Sequence, residues 1–196
     1  MYPQSHRGQA GLAVATLFAV VSIALVSCTS NRVDNVAAKP SKGRTLASAT
    51  LSPEDKAKVD DVWATYLKLN TIYVKAAQTG TYDWNPDPSK RPMYDFAAGQ
   101  LLAQLERDLD FMNEQGVIRV GDPVVTLRRV VSVSPTSILI ESCVDDSNTD
   151  SIDKTTRKSV AAPGQNKKYP VTLRAGLYPD GLWRWVESHP DRAASC

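Results

Sequence analysis

The sequence predicts an α+β domain: N-terminal helices packed on a curved antiparallel sheet. Two observations carry that expectation. Apolar residues recur at helical spacing before Gly116, and the period drops to two after it. Beyond Gly116, turn residues separate short strand-like runs, and helices followed by a run of strands is the α+β pattern.

The chain opens with an uncharged apolar run, Ala10 to Val26, behind His6 and Arg7. A weakly basic flank, an apolar centre and small residues before a cut make a secretory signal, residues 1–27. The run is slightly short of the ~20 apolar residues a membrane-spanning helix needs. It closes on "Leu25-Val26-Ser27-Cys28", which resembles the lipobox of bacterial lipoproteins. The resemblance implies a Cys28 thiol carrying diacylglycerol and a signal peptidase cut between Ser27 and Cys28. The alternative is an uncleaved anchor helix with an incidental cysteine; either way the rest of the chain is exported. Two acyl chains hold firmly where one binds marginally, since each buried CH₂ contributes ~0.8 kcal/mol. The implied place is the extracytoplasmic face of the cell membrane, with membrane lipid as the first partner.

Residues 28–51 read as a flexible tether. "TSNRVDNVAAKPSKGRTLASATL" shows neither period and is rich in Ser, Thr, Ala and Asn. Arg32, Lys39, Lys42 and Arg44 outnumber Asp34, so the tether suits an anionic leaflet or simple solvation.

Residues 52–196 are the domain. In the first helix Ser52 is the N-cap, Pro53 sits at the first turn, and Glu54 and Asp55 favour the dipole. Val59, Val62, Trp63, Tyr66, Leu69, Tyr73, Ala76 and Ala77 form its apolar face, and Gly80 ends it. "TYDWNPDPSKRP" is a loop. A second helical region spans about Met93 to Gln115, with Leu101, Leu102, Leu105, Leu109 and Met112 on one face and a break at Gly99. Strands follow at "VIRV", "PVVTLRRVVSV" and "SILIESCV", then "KTTRKSV", then "YPVTLRAGLY" and "LWRWVES" across the turn Pro179-Asp180-Gly181. Trp183 and Trp185 share one face, expected to be the core, with Arg184 on the other. Of Arg128 and Arg129, one faces solvent while the other is paired or at an edge.

This order resembles the nuclear transport factor 2-like superfamily, and more narrowly its exported actinobacterial and actinophage members. "YDFAAGQLLAQL" followed by "GVIRVGDP", then "ESCVDD" and "YPDGLWRWVES", carry the resemblance. It implies a cone-shaped fold with a cavity. Trp63, Tyr66, Tyr73 and Tyr94 are candidates for its mouth, with Asp95 and Asp145 its candidate titratable groups; core packing is the competing role for the aromatics. The chain departs from the pattern in a long loop after Asp145 and in having no acidic dyad or histidine matching the enzymatic branches.

With Cys28 lipidated, Cys143 and Cys196 remain, and two thiols in an exported domain pair. The other reading leaves both free, with Cys196 fraying.

Catalytic signals are sparse. No phosphate loop, His-x-x-x-His pair, Cys-x-x-Cys or Gly-x-Ser-x-Gly occurs. His189 falls after the last expected strand, in an exposed tail. Asp146, Asn148 and Asp150 begin like a calcium loop, but Ser151 replaces the turn glycine and Arg157 the bidentate glutamate, so the segment reads as a polar loop. No catalytic residue, metal or cofactor is expected. The formal net charge of +2 falls to +1 without Arg7, too balanced for nucleic-acid binding. The expected function is a non-catalytic, lipid-anchored binding or scaffold module with an envelope protein partner or a homodimer. The alternatives are a prophage-encoded lipoprotein that excludes related phages, and a small-ligand carrier or enzyme using the cavity.

Overall fold

Ser52 starts the first helix as its sequence predicts. Its hydroxyl accepts the Asp55 N–H at 3.0 Å in the computed structural model, which describes residues 51–196. The signal segment, the Ser27–Cys28 cut and all of the tether but Leu51 lie outside the described residues. Helix α1 is Pro53–Thr79, and Gly80 closes it at φ 65 with its N–H on the Ala76 carbonyl. The Ser52 N-cap is worth about 1 kcal/mol. Val59, Val62, Leu69, Ala76 and Ala77 are buried, while Trp63, Tyr66 and Tyr73 are partly so.

Helix α2 is Gly99–Glu114 and begins later than its apolar spacing suggests. Residues 93–96 lie in a turn segment instead, and Ala97 bridges Trp185. Ala98 is extended, and the chain here docks on the last strand: Trp185 donates its N–H to Phe96 and accepts from Ala98. Gly99 then turns at φ 57. Met93, freed from the helix, is a fully buried plug.

The strands are β1 Val117–Val120, β2 Val124–Val133, β3 Ser137–Asp145, β4 Asp150–Asp153, β5 Lys168–Leu177 and β6 Trp183–Pro190. They form a four-stranded antiparallel sheet, order β2-β3-β5-β6, and a two-stranded one, β1-β4. The fold is two helices on antiparallel sheets, an α+β domain. Among the described residues, no helix is long and apolar enough to cross a membrane.

Three local expectations are corrected. The strand expected at Lys154–Val160 falls earlier, at β4. The Asp153 carboxylate accepts the Thr155 and Thr156 N–H groups, and Arg157 follows at φ 60, so the chain turns where extension was expected. The polar loop after Asp145 is therefore half strand, with Ile152 and Thr149 buried. Arg128 and Arg129 both pair with Glu141, at 2.9 and 2.8 Å, because a bulge after Leu127 breaks the alternation. His189 lies within β6 opposite Thr172; it is exposed, 3.6 Å from Glu187.

One sheet face serves two purposes. Ile138, Ile140, Leu173 and Ala175 lie together under the helices and form the core with Trp185, which is 0% exposed. Trp185 packs edge to face on Tyr66 and donates its ring N–H to Thr65 at 3.1 Å. Further along the same face, Val144, Tyr169 and Val171 line a cleft.

Candidate functional site

The cleft has a volume of about 560 Å³ and opens between the helices and the sheet. That is within the size range of small-molecule sites. Helix α1 supplies Tyr66, Asn70 and Tyr73, and α2 supplies Leu105, Arg107, Asp108 and Phe111. The α1 set steps by four and three, and in α2 Leu105, Asp108 and Phe111 step by three with Arg107 four before Phe111, so each set lies on one helical face. Strands contribute Val125, Val144, Tyr169 and Val171, and β1 contributes Arg119. The tail after β6 brings Arg192.

Asp146 is the polar centre of this wall. It is 4% exposed. Its Oδ2 accepts the Tyr169 hydroxyl at 2.9 Å and lies 3.5 Å from Arg192. Arg192 in turn donates to the Tyr169 oxygen at 2.8 Å. Lys167 caps the following turn at the Thr149 carbonyl. Gly121, at φ 76, lets β1 and β2 turn tightly against Asn148, and Arg119 of β1 lines the same cleft as Asp146.

Tyr73 and Tyr169 are donors here. Burial pushes Tyr66 up to about 12. Burial also raises Tyr73 and Tyr169 well above the usual phenol range. The nearby carboxylates of Asp108 and Asp146 add to that, while Arg119 opposes it at both rings and Arg192 at Tyr169. Tyr73 hydrogen-bonds to Asp108, bridging α1 and α2. The cleft therefore presents neutral phenols, two carboxylates and three guanidinium groups over an apolar floor.

The residues expected at the cavity divide. Tyr66 and Tyr73 line the cleft. Trp63 does not; it stacks on Tyr66 at 5.2 Å between centroids. Tyr94 is elsewhere: its ring and that of Tyr178 flank Arg184, which is 5% exposed and bound to the Tyr94 carbonyl and Asp180. Asp95 is exposed and outside the cleft. Asp145 points away to Lys168, 3.5 Å off, because strand alternation puts it opposite its neighbour Val144. The acid inside the site is Asp146.

Cys143 and Cys196 are joined by a disulfide, with Cα atoms 5.9 Å apart. Alternation puts Cys143 on the sheet face opposite Val144. The tail thus passes round the end of the sheet, Arg192 on the cleft side and Cys196 on the far side.

No family model matches this chain, and the comparison with curated proteins gives no match either. Among solved structures, the intermembrane space region of the chloroplast protein ARC6 is similar at 13% identity and a TM-score of 0.45. The match covers 68% of this chain and 94% of that one. A score at that level carries no argument about function.

Proposed function

We propose that this chain is an exported lipoprotein whose α+β domain is a non-catalytic binding module, held by the Cys28 lipid at the outer face of the cytoplasmic membrane. The observation that carries the reading is the Cys143–Cys196 disulfide. Such bonds persist in oxidising compartments outside the cytosol. It also uses both cysteines other than Cys28, which ends the apolar run at the lipobox position. Kinship with nuclear transport factor 2-like domains is part of the proposal, supported by helices that precede and cover an antiparallel sheet. The cleft gives the module a place to bind, and the exposed β2 edge is a surface for a protein partner or a second copy.

Detergent phase partition of cells expressing the intact chain and a Cys28→Ala variant tests the anchor. The intact chain is expected in the detergent phase, labelled by a fatty acid, and the variant is expected unlabelled. Equal partition and no label in either would contradict the reading.

A further inference from the structure

Among the described residues, Asp146 Oδ1 is the one buried side-chain oxygen or nitrogen without a hydrogen-bond partner. Its sister oxygen is already committed to Tyr169. A buried carboxylate oxygen left unpaired is rare, and usually a water, ion or ligand completes it. Arg119 is the complementary case. Its half-buried guanidinium makes no hydrogen bond or ion pair among the described residues. It lines the main cleft and an adjoining one of about 330 Å³, and Asp146 and Arg192 line both as well. An acid and a base face the same space without pairing.

That arrangement selects by charge. A simple anion meets Asp146 and Asp108, and a simple cation meets Arg107, Arg119 and Arg192. A divalent metal needs several oxygen ligands, and no cluster of acidic, His or Cys side chains that could hold one occurs among the described residues. A molecule with an ammonium and a carboxylate satisfies both groups. The ammonium donates to Asp146 Oδ1, and the planar guanidinium matches a carboxylate with two parallel hydrogen bonds. The floor adds Leu105, Val144 and Val171, so an apolar body has somewhere to rest.

We infer that the cleft binds a small zwitterion with an apolar side group: an amino acid or short peptide, with its ammonium on Asp146 Oδ1 and its carboxylate on Arg119. This deepens the binding-module reading and rests on that part of it alone. Partition into detergent and ligand binding are separate readouts, so either can fail while the other stands.

Calorimetric titration of the full-length protein in detergent, with leucyl-leucine as the probe, tests it. N-acetyl-leucyl-leucine lacks the ammonium, and leucyl-leucine amide lacks the carboxylate. The free dipeptide is expected to bind in the millimolar range or tighter, and each blocked form roughly tenfold more weakly. Asp146→Asn should abolish the penalty for acetylation alone. Arg119→Gln should abolish the penalty for amidation alone; because Arg119 is only half-buried, this variant keeps the test sharp if Asp146→Asn does not fold. Absence of heat with the free dipeptide would mean that the cleft holds only water, and would overturn the inference. Equal affinity for all three peptides would overturn it too, since the floor alone would be binding them.

Discussion

The guanidinium of Arg192 lies over the ring of Tyr169, 3.9 Å from its centroid, and donates to the phenolic oxygen at 2.8 Å. Tyr169 donates its own hydroxyl in a hydrogen bond to Asp146. A residue near the chain's last position thus orders the acid at the heart of the cleft. The same tail ends four residues later at Cys196, bonded to Cys143 across 53 residues of sequence.

Breaking that bond should therefore act at a distance. For a loop of this length the chain-entropy estimate is about 4 kcal/mol, often reduced in practice. Cys143→Ala with Cys196→Ala is expected to lower unfolding stability by about 2–4 kcal/mol in urea. In that variant the amides of residues 191–196 should exchange faster than those of β6. Unchanged exchange in the tail would mean that Arg192 and Asn166 hold it without the disulfide.

Tyr169→Phe removes the proton that Asp146 Oδ2 accepts and keeps the ring under Arg192. A buried acceptor left short of its donor costs about 1–3 kcal/mol. Thermal unfolding should show a loss in that range, and Tyr178→Phe, at the far side of the domain, should show much less. Equal losses would remove Asp146 from its central place.

Two glycines with similar backbones should respond differently. Gly121 and Gly99 both have positive φ, 76 and 57. A Cβ at Gly121 would lie 1.8 Å from the Asn148 carbonyl oxygen, whereas one at Gly99 meets nothing within 4 Å. Gly99→Ala is expected to cost about 1–2 kcal/mol, the left-handed penalty alone. Gly121→Ala should cost clearly more and displace Arg119, read as a changed amide spectrum of β1. Matching stability losses would contradict the close approach.

Alkaline titration should reveal the buried phenols. Tyr66 is raised from 10.0 to about 12, so the native state keeps a proton that the unfolded chain gives up. Its contribution is whole below pH 10.0 and is lost as pH climbs toward about 12. Stability should fall across that window, and Tyr66→Phe should move the alkaline midpoint upward. A midpoint unmoved by the substitution would mean that this ring is not the group resisting ionisation.

The elements were legible because local rules govern them. Ser52, Pro53 and Gly80 frame α1 where capping chemistry puts them. Pro179-Asp180-Gly181 turns β5 into β6, and Ser134-Pro135-Thr136 turns β2 into β3. One miss is local, the Asp153 turn that stands where a strand was expected; the others are non-local. Nothing near Met93 says that Phe96 and Ala98 will hydrogen-bond to Trp185, which is what delays α2. The alternation in "VIRV" puts Arg119 opposite the buried Ile118, but only the β1-β4 pairing and the helices above decide which face becomes a cleft. Asp145 and Asp146 are chemically alike; strand parity points Asp145 away, and the loop then carries Asp146 inward. Arg192 reaches the site because the pairing of β6 with β5 runs to Pro190 and the Asp191 N–H continues it onto the Pro170 carbonyl, a long-range contact that no local pattern announces. Arg184 read as an outward residue, yet two tyrosine rings cover it.

The central claim is that the chain is exported, cut before Cys28 and lipidated there, with its other two cysteines bonded. Intact-mass analysis of the protein from its own membrane fraction, with and without reduction, tests all three parts at once. The expected mass lacks residues 1–27, carries a diacylglyceryl group, and gains two hydrogens on reduction. A full-length, unmodified mass would contradict the account, and "ALVSC" would then close an ordinary anchor helix.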